Sequence, residues 1–195
     1  MICMAAAILA AMPFPLLAQQ SADSIIKNSN METDADANGW PDGWPNLKVG
    51  GSWEVEEGNH FIRMTSPSPG AMVMLYSEIS IPEGVKAIEM TWRQRVTNLK
   101  RGTSSWFDAR IMMEFKNDVN AKLSPSPSAP FVRKDTGGWQ EKSIRFVVPA
   151  GSAVLKFMPS LFQVESGTMD IDDIVLKPVA AGVPQDSAAD KTPAP

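Results

Sequence analysis

The sequence contains a single cysteine, Cys3, and a single histidine, His60, among its 195 residues. Cys3 lies in an apolar N-terminal segment, so the rest of the chain has no residue for a disulfide, a thiolate metal site or a cysteine nucleophile. One histidine cannot build a histidine-based zinc site, and a catalytic triad would depend on His60 alone. We expect His60 to be an exposed residue at the start of a strand.

The chain also lacks an excess of positive charge. Its 18 Lys and Arg residues are outnumbered by 22 Asp and Glu residues, which gives a formal net charge of −4. A mildly acidic chain has no general electrostatic attraction for nucleic acid or for anionic membranes. We therefore expect neither nucleic acid nor a membrane as a partner of the mature protein.

The two ends of the chain differ from its middle. Residues 1–18 carry no charge, are largely apolar, and end in Ala18 before two glutamines. This pattern is typical of a secretory signal peptide, or of a short anchor, although no Lys or Arg precedes the apolar run. We therefore expect a secreted protein, extracellular or periplasmic, with one folded domain over residues 19–177. Residues 178–195 are rich in Pro and Ala, and we expect a disordered tail.

Helix-length apolar periodicity is scarce between these ends. Alternating runs rich in β-branched, aromatic and Met residues recur instead, each bounded by Gly, Pro, Asn or Ser. We therefore predict an all-β chain that folds as a two-sheet antiparallel β-sandwich, or jelly roll. The predicted strands are Ser24–Asn30, Ser52–Glu57, His60–Thr65, Ala71–Ile81, Ala87–Leu99, Trp106–Asn117, Trp139–Val148, Ala153–Val164 and Thr168–Lys177.

Strand alternation predicts which side chains face the core. In the run from Trp106 to Phe115 one face is uniformly apolar, which places Trp106, Asp108 and Arg110 on the other face. The same argument places Trp92 in the core. The loop 121–138 has no strand pattern and precedes Trp139, so we expect it to form one rim of a binding surface.

The segment from Asp34 to Asp42 has the spacing of an oxygen-ligand cation loop. Asp34, Asp36, Asn38 and Asp42 occupy positions 1, 3, 5 and 9, with a glycine at position 6 for the sharp turn. This matches the first nine positions of the calcium loop of EF-hands, but position 12 is a proline and no helices flank it. The segment therefore predicts a related calcium loop or, alternatively, a set of Asx turns without an ion.

A second acidic group is predicted where the ends of the domain meet. The first and last strands of a sandwich often lie side by side, which would bring Glu32 close to Asp170, Asp172 and Asp173. A cation bound there would tie the two ends of the domain together, and its removal would leave carboxylates that repel one another. The alternative is a solvated acidic strand end.

Three stretches of the chain resemble a known family. They are Asn28-x-Asn30-Met31-Glu32 with Gly39-Trp40-Pro41-Asp42-Gly43-Trp44, then Trp106-x-Asp108-Ala109-Arg110-Ile111, then Gly167-x-x-x-Ile171-Asp172-Asp173-Ile174. Together they resemble the galactose-binding-like β-jelly rolls of carbohydrate-binding modules, in particular families 4, 9 and 22. The likeness spans about residues 25–178.

The resemblance implies a structural calcium ion and a sugar-binding face. Glu32 and Asp172 match the family's acidic calcium ligands, with Asp173 as the neighbouring candidate. Sugar rings would stack on aromatic side chains while polar groups bind their hydroxyls, and Trp40 and Trp44 are expected to pack the loop instead. The expected sugar-binding residues are Arg93, Arg95, Trp106, Asp108, Arg110 and Trp139.

The function expected from this resemblance is that of a secreted, calcium-stabilised, non-catalytic carbohydrate-binding module. It would bind a polysaccharide or oligosaccharide, either alone or beside glycoside hydrolases. One alternative is a structural or adhesive surface protein that uses the sandwich as a scaffold. A further alternative, a jelly-roll lyase or hydrolase, would need a clustered acid and base that the sequence does not place together.

Overall fold

The structure, a computed structural model, describes residues 24–182. The predicted signal peptide and Cys3 lie outside the described residues, as does the predicted tail beyond Gly182. The described part of the chain is all β and turn, and it contains no helix that could cross a membrane.

Ten strands form two antiparallel sheets, as the alternating sequence pattern predicts. The first sheet has the order β1-β2-β10-β5-β8, and the second has the order β3-β9-β6-β7 with β4 also paired to β9. The strands are β1 Gly51–Glu56, β2 Asn59–Thr65, β3 Val73–Met74, β4 Ser77–Ser80, β5 Ala87–Lys100, β6 Ala109–Lys116, β7 Phe131–Val132, β8 Gln140–Val147, β9 Val154–Leu161 and β10 Ser166–Val179.

The core lies between the two sheets and follows the predicted alternation. Ile111 and Phe115 of β6 are buried, as are Ile144 and Phe146 of β8, and the ring centroids of Phe115 and Phe146 lie 6.1 Å apart. Trp92 is buried as expected, and its indole N–H donates to the Gln94 side chain at 2.6 Å. The predicted jelly-roll sandwich is therefore confirmed.

Several strand predictions need correction. Residues 24–30 are not a strand but a series of turns, with positive φ at Asn28 and again at Met31. The predicted strand Ala71–Ile81 is split into β3 and β4, and the predicted strand Trp106–Asn117 begins only at Ala109. The last strand continues to Val179, two residues beyond the predicted end of the domain. Alternation alone does not predict where the backbone leaves the sheet.

The loop 121–138 contains a short strand that its sequence pattern does not predict, and it crosses from one sheet to the other. Phe131 and Val132 pair with β6 in the second sheet. Thr136 then binds the first sheet, where its N–H donates to the Val96 carbonyl and its hydroxyl accepts from the Val96 N–H at 3.0 Å. The loop therefore contributes to both sheets before Trp139 begins the approach to β8.

Phe115 connects the two sheets, because its ring in the second sheet packs on Phe146 of the first. We expect Phe115→Ala to lower the free energy of unfolding by about 3–5 kcal/mol, the usual cost of a cavity of this size. Urea titration followed by tryptophan fluorescence measures the change. Val119→Ala is the matched control, because Val119 is exposed in a turn and should change stability by less than about 0.5 kcal/mol.

Candidate functional site

The outer face of the first sheet consists largely of internal ion pairs. On β10, Asp170 is buried and accepts hydrogen bonds from Arg63 Nε at 2.7 Å and from Arg95 Nε at 2.8 Å. Buried carboxylates need partners of opposite charge, and these two arginines supply them. The Arg95 guanidinium also lies 2.9 Å from Glu56, at the end of β1.

Trp139 lies on this same face, and its half-buried ring contacts several neighbouring side chains. The guanidinium carbons of Arg93 and Arg95 lie 4.9 and 4.7 Å from its ring centroid. The ring centroids of Trp139 and buried Phe61 lie 5.2 Å apart in a T-shaped arrangement. The indole N–H of Trp139 donates to the Glu56 carboxylate at 3.3 Å. Two cations lie against this half-buried ring, and this arrangement favours a structural role for Trp139.

A cleft of about 420 Å³ opens beside these ion pairs, over β5, β8 and Asp173. Thr91, Arg93, Glu141 and Ser143 contribute to its lining, which offers hydroxyl and charged groups. Trp92 also borders the cleft, but its side chain is buried in the core. The cleft therefore has hydrogen-bonding groups without an exposed aromatic ring.

The outer face of the second sheet has a different character. Before β6, the fully buried Asp108 accepts hydrogen bonds from Arg110 Nε at 2.6 Å and from Arg133 Nε at 3.2 Å. The Arg133 guanidinium lies 4.2 Å from the ring centroid of Phe131, and that of Arg110 lies 5.9 Å from Phe162. These two arginines are thereby held in place beside two aromatic rings.

Trp106 lies in the turn that leads into this cluster and is 55% exposed. The turn is closed by a hydrogen bond from the Gly102 N–H to the Phe107 carbonyl at 3.1 Å. A Cβ at Gly102 would overlap the carbonyl oxygen of Gln163 and lie 2.8 Å from Phe107 Cβ, so only glycine fits. Contacts from Trp106 to Phe107 and on to Phe162, with centroids 6.0 and 5.8 Å apart, join the turn to the arginines.

The six predicted sugar-binding residues therefore do not form one surface. Arg93, Arg95 and Trp139 lie on the outer face of the first sheet. Trp106, Asp108 and Arg110 lie on or beside the second sheet, on the opposite side of the sandwich. Asp108 has the predicted orientation, but it is buried by its two arginines and is unavailable as a direct ligand. Alternation within a strand assigns a face of a sheet and cannot tell which sheet the strand joins.

Sequence reasoning missed Phe131, Arg133 and Phe162 as members of this cluster. The first two lie in a loop that showed no strand pattern, and the third follows β9. The only local signal was an aromatic, a β-branched and a basic residue directly after Pro130. That run is too short to be recognised as a strand by periodicity.

The predicted cation loop brings its carboxylates together. Ligand atoms of Asp34, Asp36 and Asp42 all lie within 4.8 Å of one another, and no other such group of acidic, His or Cys residues exists in the described chain. Slight burial raises the pKa of Asp34, but N–H donors of Gly39 and Asn38 outweigh that effect and lower it overall. Asn38 donates its side-chain N–H to Asp36 at 2.9 Å.

The second predicted cation group is not assembled in this way. One oxygen of the Glu32 carboxylate accepts a hydrogen bond from the backbone N–H of His60 at 2.7 Å. The other oxygen lies 2.7 Å from Nδ1 of the His60 ring. Asp172 instead accepts from Asn59 Nδ2 at 2.8 Å and from the Asp173 N–H at 2.7 Å. Glu32 and Asp172 therefore have separate hydrogen-bond partners, and the role of Glu32, Asp172 and Asp173 as cation ligands stays a prediction. His60 is also not simply exposed, since it stacks on Trp53 at 4.3 Å.

Trp40 and Trp44 are buried, in agreement with the packing role expected from the sequence. The Trp44 indole N–H donates to the Asn28 carbonyl at 2.9 Å. The Asn28 side chain in turn donates to the carbonyls of Thr33 and Asp42, at 2.9 and 3.0 Å. These hydrogen bonds hold both ends of the acidic loop, from Asp34 to Asp42, against the core.

No protein-family model and no curated protein matches this sequence. Solved structures do match its fold. A family 4 carbohydrate-binding module aligns with a TM-score of 0.55 and 17% identity over 79% of this chain and 99% of that chain. A family 16 module aligns with a TM-score of 0.53 and 16% identity over 78% and 99%.

The enzymatically active domain of bacteriophage CBA120 tailspike protein 4 also aligns, with a TM-score of 0.57 and 11% identity. That match covers 80% of this chain but only 22% of the tailspike chain. At these identities the comparisons establish the fold, which is the β-sandwich jelly roll of carbohydrate-binding modules.

The buried Asp172 predicts a pH dependence of stability. Burial, opposed by the hydrogen bond from Asn59 and reinforced by the charge of Asp173, raises the pKa of Asp172 to about 6 from its usual 3.8. The unfolded chain releases this proton near pH 3.8, whereas the folded chain holds it to about pH 6. Asp172 therefore makes its full contribution to the free energy of unfolding below about pH 3.8. That contribution is lost as the pH rises to about 6, which lowers the free energy of unfolding by at most about 3 kcal/mol.

Urea titrations in the presence of a chelator, at several values across that pH window, measure this effect. We expect Asp172→Asn to flatten the profile and to be more stable than the wild type near neutral pH. Other carboxylates remain in both proteins, so the difference between the two profiles isolates Asp172. Parallel profiles would contradict the prediction.

Proposed function

We propose that this protein is a secreted, non-catalytic carbohydrate-binding module whose sugar site is the outer face of the second sheet. One observation carries the proposal: exposed Trp106 is joined through the rings of Phe107 and Phe162 to Arg110, which Asp108 fixes in place together with Arg133. Sugar recognition needs an aromatic ring for the apolar face of a pyranose and fixed donors for its hydroxyls. This face offers both, whereas the half-buried Trp139 ring beside the first sheet already has two arginines against it.

The fold and the chain ends support the same proposal. Other proteins with this fold are carbohydrate-binding modules, and one of them, TmCBM61, is in complex with β-1,4-galactotriose (TM-score 0.51, 12% identity). The uncharged apolar residues 1–18 are typical of a signal peptide, which supports a secreted location, extracellular or periplasmic. Such a module would act alone or beside glycoside hydrolases.

Removal of the exposed ring tests the sugar site. We expect Trp106→Ala to weaken binding to polysaccharides by about tenfold, or roughly 1.4 kcal/mol, with a nearly unchanged thermal midpoint. Affinity gel electrophoresis across a panel of neutral and acidic polysaccharides measures the change.

Trp139→Ala is the matched control on the other sheet. It should lower the thermal midpoint, because Trp139 covers Phe61, and leave affinity unchanged. The opposite pattern would move the site to the first sheet. Absence of binding across the panel would favour a structural or adhesive role, and release of reducing ends would favour an enzyme.

We further propose that calcium binds the loop formed by Asp34, Asp36 and Asp42. Three carboxylates within 4.8 Å repel one another, and a calcium ion supplies the positive charge that relieves this repulsion. The loop is attached through Asn28 and Trp44 to the core, so binding there stabilises the folded domain as a whole. Calcium bound only to the folded state adds about 2.7 kcal/mol at one hundred times its dissociation constant.

Differential scanning fluorimetry with calcium or with chelator tests this part of the proposal. We expect calcium to raise the thermal midpoint of the wild type by several degrees and to have little effect on Asp36→Ala. Asp118→Ala is the control, since Asp118 is an exposed aspartate in a turn outside the loop. An equal response of all three proteins would refute calcium binding at this loop.

A further inference from the structure

The outer face of the second sheet carries more positive than negative charge, although the whole chain is acidic. Five cationic side chains form ion pairs with only three carboxylates there. Asp108 binds two arginines, Glu114 binds two lysines, and Glu78 lies 3.9 Å from one lysine. We call this set the basic face: Arg110, Lys116, Lys122, Arg133 and Lys156, with Glu78, Asp108 and Glu114.

The first sheet has the opposite balance on its outer face. Four arginines form ion pairs there with five carboxylates: Arg63, Arg93, Arg95 and Arg145, with Glu56, Glu89, Asp170, Asp172 and Asp173. Among these ion pairs carboxylates outnumber cations by one on the first sheet, whereas cations outnumber carboxylates by two on the basic face. Such a difference attracts an anionic ligand to the basic face and repels it from the first sheet.

The cations of the basic face lie in two groups along β6. Arg110 and Arg133 form one group, and the three lysines surround Glu114, four residues further along the strand. Four residues of strand span about 13 Å. Met112 and Met158 pair between the two groups and are half-buried, so an apolar strip separates the charges. Tyr76 adds an aromatic ring at the lysine end, 5.4 Å from Lys156 Nζ.

We propose that the basic face selects acidic polysaccharides, chains whose sugar units carry carboxylates, over neutral ones. This inference rests on the proposed function, because it assigns the class of ligand to the same site. A sugar chain along β6 would place its apolar ring faces on Trp106 and the methionines. Its carboxylates would meet the arginines at one end of the face and the lysines at the other.

The geometry suits carboxylate recognition at both ends. Asp108 accepts only the Nε–H of each arginine, and a guanidinium carries further N–H donors on its terminal nitrogens for a second acceptor. Arg133 is 45% exposed and Lys122 is 58% exposed, so both are accessible to a ligand. Lys122 and Lys116 lie 2.7 and 3.0 Å from the Glu114 carboxylate, and their hydrogen bonds lower the pKa of Glu114.

The test compares two sugars that differ only in their carboxylates. Isothermal titration calorimetry near neutral pH would measure binding of a galacturonic acid tetramer and of the same tetramer after reduction of its carboxyl groups. We expect the acidic tetramer to bind about tenfold more tightly in low salt. This advantage should shrink several-fold when the NaCl concentration is raised, because salt screens exposed charges.

Charge-removing variants test which residues are responsible. Arg133→Gln and Lys156→Gln should each weaken binding of the acidic tetramer about fivefold or more, and change binding of the reduced tetramer by less than about twofold. Lys86→Gln is the matched control, because Lys86 is exposed in the turn before β5 of the first sheet. It should bind both tetramers as the wild type does.

The outcomes separate the two proposals. Equal affinity for both tetramers, or a preference for the reduced one, overturns selection by charge and leaves sugar binding intact. If neither tetramer binds and no polysaccharide of the panel binds, sugar binding itself is refuted. If inorganic polyphosphate binds as tightly as the acidic tetramer, or Lys86→Gln weakens binding equally, the attraction is nonspecific charge and the proposal is also overturned.

Discussion

Two buried carboxylates on β10, Asp170 and Asp172, constrain how the whole sandwich can be used. This strand lies in the middle of the first sheet, so its outward side chains are surrounded by neighbours on both sides. A buried carboxylate is costly unless it is paired, and Arg63, Arg93 and Arg95 occupy the outer face of that sheet for this purpose. Trp139 and Phe61 then pack with these arginines, so the centre of this face is occupied by its own side chains, beside the cleft over β5 and β8.

The second sheet meets the same constraint at one end of β6, and the rest of its outer face carries different chemistry. Its one fully buried carboxylate, Asp108, lies at the start of β6 and holds two arginines near aromatic rings. Along β6 the polar residues alternate with Ile111, Met113 and Phe115, which fill the core. The difference between the two outer faces therefore follows from which strands carry the buried carboxylates. One outer face stabilises the domain, and the other presents exposed rings and excess positive charge.

Asn28 has a similar organising role at the N-terminal end of the described chain. Its side chain binds the backbone at Thr33 and at Asp42, so one amide joins the two ends of the acidic loop. Two hydrogen bonds, from Ile25 to Leu176 and from Ile174 to Ser29, attach this segment to β10. The sequence predicted that the first and last parts of the domain are neighbours. It did not predict that the first part is a chain of turns, because the positive φ values of Asn28 and Met31 are not visible in alternation.

The amino-acid sequence by itself determined the all-β class, most strand positions, the inward residues of β6 and the core position of Trp92. It also determined the packing role of Trp40 and Trp44 and the clustering of Asp34, Asp36 and Asp42. Each of these depends on local pattern, because side-chain alternation and turn spacing act within a few residues. Only the tertiary structure decided that Trp106 and Trp139 lie beside different sheets, that Glu32 pairs with His60, and that Arg133 joins Asp108. These features depend on which strands become neighbours, and strand pairing joins residues far apart in the chain, which no local pattern specifies.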